Sequence, residues 1–275
     1  MQAIFTVANK EFHDGLRNRW VVAISLIFAL LATGLAYFGA AASGQAGFTT
    51  LSSTLVSLAS LAVFIIPLIA LMLAYDAVVG EDENGTLLLL MTYPLSRWQL
   101  IVGKMLGHWL IMAFSTICGF GLSAIIIAVF SDTTSWSELI GPYSFFIICA
   151  ILLGWIFIAI AYVISACVSE KSKAAGIALI VWFIFVLMFD LSLLGLLVST
   201  EGNVNAQLFP YLLLLNPTDI FRLLIIGFFA DQQLSGFMSI AQYAHFSTPL
   251  LFASLVIWFI TPVLLAISLF NKRKL

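Results

Sequence analysis

Charge is the scarcest commodity in this sequence: Asp, Glu, Lys and Arg make up 9% of its 275 residues, against 63% apolar residues and a mean hydropathy of +1.14. Soluble domains carry roughly 25% charged residues. So few charges cannot cover a water-facing globule, which excludes an ordinary soluble domain. The charges are also missing in blocks. Residues 20–75, 105–131, 139–169 and 232–271 contain none, and each block exceeds the about 20 apolar residues that a helix needs to cross a bilayer. The fold class that follows is all-α, a polytopic membrane protein of six transmembrane helices forming one domain over residues 1–275.

Other absences narrow the chemistry. No GxxxxGK[ST] run is present, so the chain lacks the usual backbone cradle for nucleotide phosphates. It is expected to be no enzyme, with any ATP hydrolysis supplied by a partner subunit. There is no HExxH and no His/Cys cluster: His13, His108 and His245 are scattered, and Cys118, Cys149 and Cys167 stand far apart in apolar stretches without a CxxC pair. No metal site and no cofactor of its own are therefore expected. The cysteines and the seven methionines read as space-filling side chains. A net charge of −2 gives no reason to expect a nucleic-acid partner. Membrane lipid is the surrounding phase. The first nineteen residues lack the continuous apolar core of a cleavable signal.

Turning to what is there, six apolar runs mark the spans: Trp20–Phe38, Leu55–Tyr75, Met105–Phe130, Tyr143–Val168, Ala174–Val198 and Thr248–Phe270. The small and polar stretch Gly39–Thr54 separates the first two. Pro67 and Pro262 fall inside spans, where packed neighbours tolerate them. Of the eleven Lys and Arg residues, all but Arg222 fall at one end of this topology: Lys10, Arg17 and Arg19, then Arg97 and Lys104, Lys171 and Lys173, and the Lys272-Arg273-Lys274 tail. Basic loops stay in the cytoplasm, so both termini are predicted to be cytoplasmic.

Within residues 1–19, Phe5, Ala8, Phe12 and Leu16 share one helical face while Lys10, Asp14 and Arg17 lie elsewhere. This pattern suits an amphipathic elbow helix in the membrane interface, or one packed on the protein. At the other side, residues 199–247 form the longest segment outside the spans. Asn216-Pro217-Thr218-Asp219 has the grammar of a helix start, with Asn as cap, Pro in the first turn and Asp at the positive end of the dipole. The helix that follows is too short to span. Arg222 can pair with Asp219 one turn away or reach Asp190. Asp190 is the single acid deep within a predicted span, where it costs on the order of 2.5–3.5 kcal/mol at the bilayer centre and less near an interface. It serves either as a proton relay or gate contact, or as a structural hydrogen-bonding group. Asp190, Asn216, Pro217, Asp219 and Arg222 are the candidate external-partner or gate residues.

The densest charge lies in residues 76–104, between spans two and three. There Glu81, Asp82 and Glu83 stand together, followed by Asn84-Gly85-Thr86-Leu87, and Pro94-Leu95-Ser96-Arg97 redirects the chain. Three adjacent carboxylates repel one another and must be solvated or matched by a basic partner. Thr86 or Asn84 is predicted to cap a short cytoplasmic helix with an acidic leading edge. The bland reading is a solvated turn.

The pattern Glu81-x-x-x-Gly85-Thr86-Leu87, with Leu90, Pro94-Leu95-Ser96-Arg97 and Gly103-Lys104 behind it, resembles the cytoplasmic signature of ABC-2 type permeases in both spacing and position. Asp82 departs from it, since many of those permeases carry a basic residue there. A wider resemblance, carried by Lys10-Glu11-x-x-Asp14-Gly15-Leu16-Arg17-Asn18-Arg19-Trp20, Ala74-Tyr75-Asp76-Ala77 and Asn216-Pro217-Thr218-Asp219-Ile220, is to the permeases of NosDFY-type complexes and covers essentially the whole chain. The resemblance implies a homodimeric permease in a bacterial inner membrane. It implies a NosF-like cytoplasmic ATPase dimer that holds the ATP and Mg and receives residues 81–87 as a coupling helix, and a NosD-like periplasmic protein on the opposite face. The role implied is ATP-driven support of copper-site assembly in nitrous oxide reductase. Two other classes stand beside it: an ion-coupled secondary transporter, which would show broken helices or repeats near the midplane, and an intramembrane enzyme, which would need paired catalytic residues at membrane depth.

Overall fold

The computed structural model describes residues 2–17, 19–38, 51–130, 136–200, 209–228 and 246–273, apart from the side chain of Ser53. Residues 39–50 of the predicted break Gly39–Thr54, most of segment 199–247, His245 and Lys274 lie outside the described residues, and the rest of that break is helical. Helix α1 runs from Gln2 to Arg17 and α2 from Trp20 to Phe38, with α3 over Leu51–Ala74. Two short helices, α4 (Val79–Glu83) and α5 (Thr86–Thr92), follow. Then come the long helices α6 (Arg97–Phe130) and α7 (Trp136–Cys167). The next span is α8 (Lys171–Phe183), one π-helical turn at Ile184–Met188, and α9 (Phe189–Ser199). A 3₁₀ turn at Phe209–Leu215 leads into α10 (Pro217–Phe228) and α11 is Thr248–Lys272. Six of these helical units are long and apolar enough to cross a membrane, and among the described residues every regular element is helical.

The spans match the six predicted runs, with one systematic difference. Helices α6 and α7 are 34 and 32 residues long and begin at Arg97 and Trp136, several residues before the predicted Met105 and Tyr143. Hydropathy marks where side chains turn apolar, whereas backbone hydrogen bonding carries a helix on past that point. Pro142, placed outside the span by hydropathy, is accommodated within α7.

Helix α6 is the central post, packing against α1, α2 and α7. Within lipid, helices associate through close van der Waals packing and small residues, and the α6 stripe Gly103, Gly107, Ser115, Gly119 supplies them at four-residue multiples. A Cβ on Gly103 would sit 3.0 Å from the Ile4 carbonyl oxygen of α1, and one on Gly119 would sit 2.8 Å from the Ser25 carbonyl oxygen of α2. Thus α1 packs on the protein, with Ala8 and Gly15 buried and Phe5 exposed. Above this, Trp109 of α6 and Trp155 of α7 exchange indole N–H bonds with each other's carbonyls at 3.2 and 3.0 Å, and Phe259 of α11 lies against both rings. One turn before Pro67, the Phe64 carbonyl accepts from the Trp182 indole of α8 at 2.9 Å.

The α2–α6 contact yields a packing prediction. Gly119→Leu drives a side chain into Phe28 Cβ and the α2 backbone, an overpacking of about 1–3 kcal/mol. The thermal midpoint of the purified protein, followed by tryptophan fluorescence, is expected to fall clearly. Gly121→Leu, at a position with open space around it, is expected to leave it unchanged.

Candidate functional site

At one end of the bundle the chain makes its tightest polar cluster, centred on α4. A five-residue helix has too few internal bonds to be stable alone, and here it is tied down from four directions. The backbone N–H groups of Val78 and Val79 both donate to Ser165 Oγ of α7, each at 3.0 Å. Glu81 Oε1 accepts from Lys104 Nζ of α6 at 3.1 Å, and the same ammonium donates to Glu11 Oε1 of α1 at 2.6 Å. Asp82 Oδ2 accepts from Arg273 Nη2 at 2.6 Å, and Glu83 Oε1 accepts from the Lys171 backbone N–H at 2.7 Å. All three adjacent acids therefore have basic or N–H partners within this chain, each on a different element.

The turn between α4 and α5 differs from the expected capping. Gly85 occupies the cap position of α5 at φ +70°, the left-handed region that glycine enters without strain. Neither Asn84 nor Thr86 caps with its side chain. The Thr86 hydroxyl instead bonds back to Glu81, at both its carbonyl oxygen and its carboxylate. That closes the segment on itself and turns α5 outward. Leu87 is buried beneath it, while Asn84, Leu88, Leu89 and Tyr93 face outward, the two leucines 59% and 63% exposed.

Lys104 is the electrostatic hub. Its side chain is 5% exposed and it faces two carboxylates. Beneath it His108 Nδ1 lies 2.8 Å from the Tyr162 hydroxyl and 3.0 Å from the Lys104 carbonyl oxygen. Burial alone would raise the Glu11 carboxyl's pKa, but the charge and hydrogen bond of Lys104, with His108 and Lys10 beside it, together hold the group below its ordinary value. A carboxyl whose pKa is lower folded than unfolded adds stability above the unfolded value, and loses it as pH falls through the folded one. Glu11→Gln is accordingly expected to be less stable than the parent at neutral pH, with the gap closing on acidification below the carboxylate range. Thermal melts across pH check this, and a gap that widens in acid contradicts it.

At the opposite end, the second group of candidate residues also converges. The π-helical turn between α8 and α9 breaks the regular bonding ladder, and its Phe185 carbonyl accepts from Asn216 Nδ2 at 2.8 Å. Asn216 Oδ1 in turn accepts the Thr218 N–H at 3.1 Å, the predicted cap bond, with Pro217 in the first turn of α10. The 3₁₀ turn and α10 meet at 114°, a broken helix pair. Arg222 reaches both of its predicted partners: Nη1 lies 3.2 Å from Asp190 Oδ2 and 3.4 Å from Asp219 Oδ1. Asp219 is fully buried and also accepts from Asn216 Nδ2. Two carboxylates thus share one guanidinium, and the buried Asp190 Oδ1 has no hydrogen-bond partner among the described residues.

Sequence reasoning named the acids of α4 but not their partners. Lys104 stood in the quoted motif, without a role, and Glu11 in the N-terminal pattern. Ser165 stood in no pattern and Arg273 only in the basic tail, since they reach α4 only through folding. The chain's chemistry at both ends is positional, with ion pairs that hold short helices against long ones.

Comparison with known proteins identifies the family. The ABC-2 family transporter protein model matches residues 5–275. The chain is 52% identical over 274 residues to a "Probable ABC transporter permease protein NosY" of Stutzerimonas stutzeri, covering 99% of both chains. It is 50% identical over 275 residues to a protein of the same name from Pseudomonas aeruginosa, covering 100% of both.

Proposed function

This chain belongs to the ABC-2 family of transporter proteins as a multi-pass permease subunit, not itself the ATPase, and from that premise we propose that the α4–α5 segment is its coupling element. In this reading the permease works as a homodimer in the bacterial inner membrane with both termini in the cytoplasm. A NosF-like ATPase dimer binds ATP and Mg and docks on the outward face of α4–α5, at Glu83, Asn84, Gly85, Leu88 and Leu89. A NosD-like protein sits on the periplasmic face, where Asp190, Asn216, Pro217, Asp219 and Arg222 hold α10 as a gate or partner contact. The work delivered is transport or conformational change that supports copper-site assembly of nitrous oxide reductase.

The observation that carries this reading is the wiring of α4. Its acids and backbone bond to α6, α7, α8 and the C-terminal tail, and through Lys104 they reach α1, so a push on this short helix reaches most of the bundle. The exposed leucines beside it offer the apolar centre that a protein interface needs. Glu81, Asp82 and Glu83 then seat the segment, and Glu83, the most exposed of them, is left to meet a basic groove. The test is purification of the native complex followed by assay of reductase copper-site assembly. An ATPase chain is expected to co-purify and assembly to require ATP. Leu88→Glu with Leu89→Glu is expected to release the ATPase while the spans still insert. Retention of the ATPase at the parental ratio in that variant contradicts the reading.

An ion-coupled secondary transporter is the second reading, and the Asp190–Arg222–Asp219 group beside a broken helix pair is what favours it. Work by the purified permease without nucleotide would decide for it.

A further inference from the structure

The C-terminal tail lies outside every motif that marks the coupling element, yet it is bonded into that element. Arg97 Nη1, at the start of α6, donates to the Asn271 and Arg273 carbonyls at 3.0 and 2.8 Å, which fixes the tail against the bundle. The Arg273 side chain then turns inward and is 11% exposed. Its Nη1 donates to the Ser165 and Ala166 carbonyls at 3.1 and 3.2 Å, and its Nη2 to Asp82 Oδ2 at 2.6 Å. Those two carbonyls belong to the last turn of α7, where the helix end carries partial negative charge and favours a cation.

We propose that Arg273 is the positioning residue that locks the α4–α5 segment to α7 and α11, so that a displacement of the segment becomes a displacement of those two spans. The inference rests on the reading of α4–α5 as the element that an ATPase moves. Helix α4 is too short to hold its own orientation, and Asp82 has this partner at a sequence separation of 191 residues. The planar guanidinium fork serves three acceptors at once, two on α7 and one on α4, while its own backbone continues α11. Lysine, a point donor on a flexible stem, cannot hold that geometry. The Glu81–Lys104–Glu11 group ties the other flank of α4 to α6 and α1, and Ser165 holds its first turn to α7, so Arg273 is the link that adds α11.

The experiment uses the complex with its ATPase partner and three variants, Arg273→Gln, Arg273→Lys and Asp82→Asn. Three quantities are read: ATPase retained on purification, ATP-driven work, and the nucleotide-dependent change in distance between spin labels at Thr92 and at Leu250, near the outer end of α11. The expected result is that Arg273→Gln and Asp82→Asn retain the ATPase but lose the distance change. Their ATP-driven work should fall about tenfold, within the usual range of coupling between sites. Arg273→Lys, which keeps charge without the fork, should fall between. A purely structural residue would lower yield and thermal midpoint in proportion to activity and would not separate binding from movement. If Arg273→Gln fails to insert, Asp82→Asn decides, because it leaves the α7 carbonyls capped. A parental distance change in Asp82→Asn overturns the inference. Loss of the ATPase in the Leu88/Leu89 variant alongside that parental result removes only the role of Arg273. Retention of the ATPase in the Leu88/Leu89 variant removes the underlying reading instead.

Discussion

Replacing Lys104 by methionine is expected to be the most damaging single change at the α4 end of the bundle. The ammonium is buried against Glu11 and Glu81 at 2.6 and 3.1 Å, and methionine keeps most of its length while removing the charge. Removing one partner of a buried ion pair costs about 3–5 kcal/mol, because the other is left as an uncompensated charge. Here two carboxylates on two different helices lose their cation together. Helix α1 and helix α4 should both loosen from α6, with a lowered thermal midpoint, faster proteolysis near Glu83, and loss of ATP-driven work. Neutralising the acids as well, in Lys104→Met with Glu11→Gln and Glu81→Gln, should recover part of the midpoint, since removing all partners of a polar contact costs less than removing one. A parental midpoint in Lys104→Met would show that the group contributes nothing to holding α4.

Arg222→Met is the counterpart at the other end. Asp219 is fully buried and Asp190 partly so, and Arg222 is the cation that both reach. The expected cost is again about 3–5 kcal/mol, concentrated on the attachment of α10 to the π-helical turn rather than on the α4 cluster. Hydrogen exchange should therefore rise in residues 185–190 and 216–222, while the α4–α5 segment stays protected. Adding Asp219→Asn should restore much of the loss, because an amide keeps the shape and the bond to Asn216 without the charge. Uniform loss of protection across both ends would contradict this local account.

The spans were legible because charge is excluded from hydrocarbon, so gaps between charged residues draw the topology directly. Their ends were less so. Lys104 marked the edge of a span by charge, yet it lies well inside α6 because Glu11 and Glu81 match it there. The acids of the α4 segment announced a site, but the cap was expected at Thr86 or Asn84, and the structure puts it at Gly85 with positive φ. What the sequence concealed was partnership over distance: Asp82 with Arg273, Val78 and Val79 with Ser165. No local pattern encodes such pairs. The π-helical turn at Ile184–Met188 likewise has no residue signature, and its meaning emerges only when Asn216 is seen bonding to the Phe185 carbonyl. The Asn216–Asp219 helix start was readable because its bonds are local.

The most direct measurement is site-specific cross-linking in native membranes, in a background free of Cys118, Cys149 and Cys167. Single cysteines are placed at Asn84 and Leu88 on the α4–α5 face and at Tyr211 at the other end of the bundle, all exposed positions. The account predicts cross-links from residues 84 and 88 to an ATPase chain, with a yield that changes on adding nucleotide, and none from 211. An ATPase cross-link from 211, or none from 84 and 88 in a complex that still hydrolyses ATP, would contradict it.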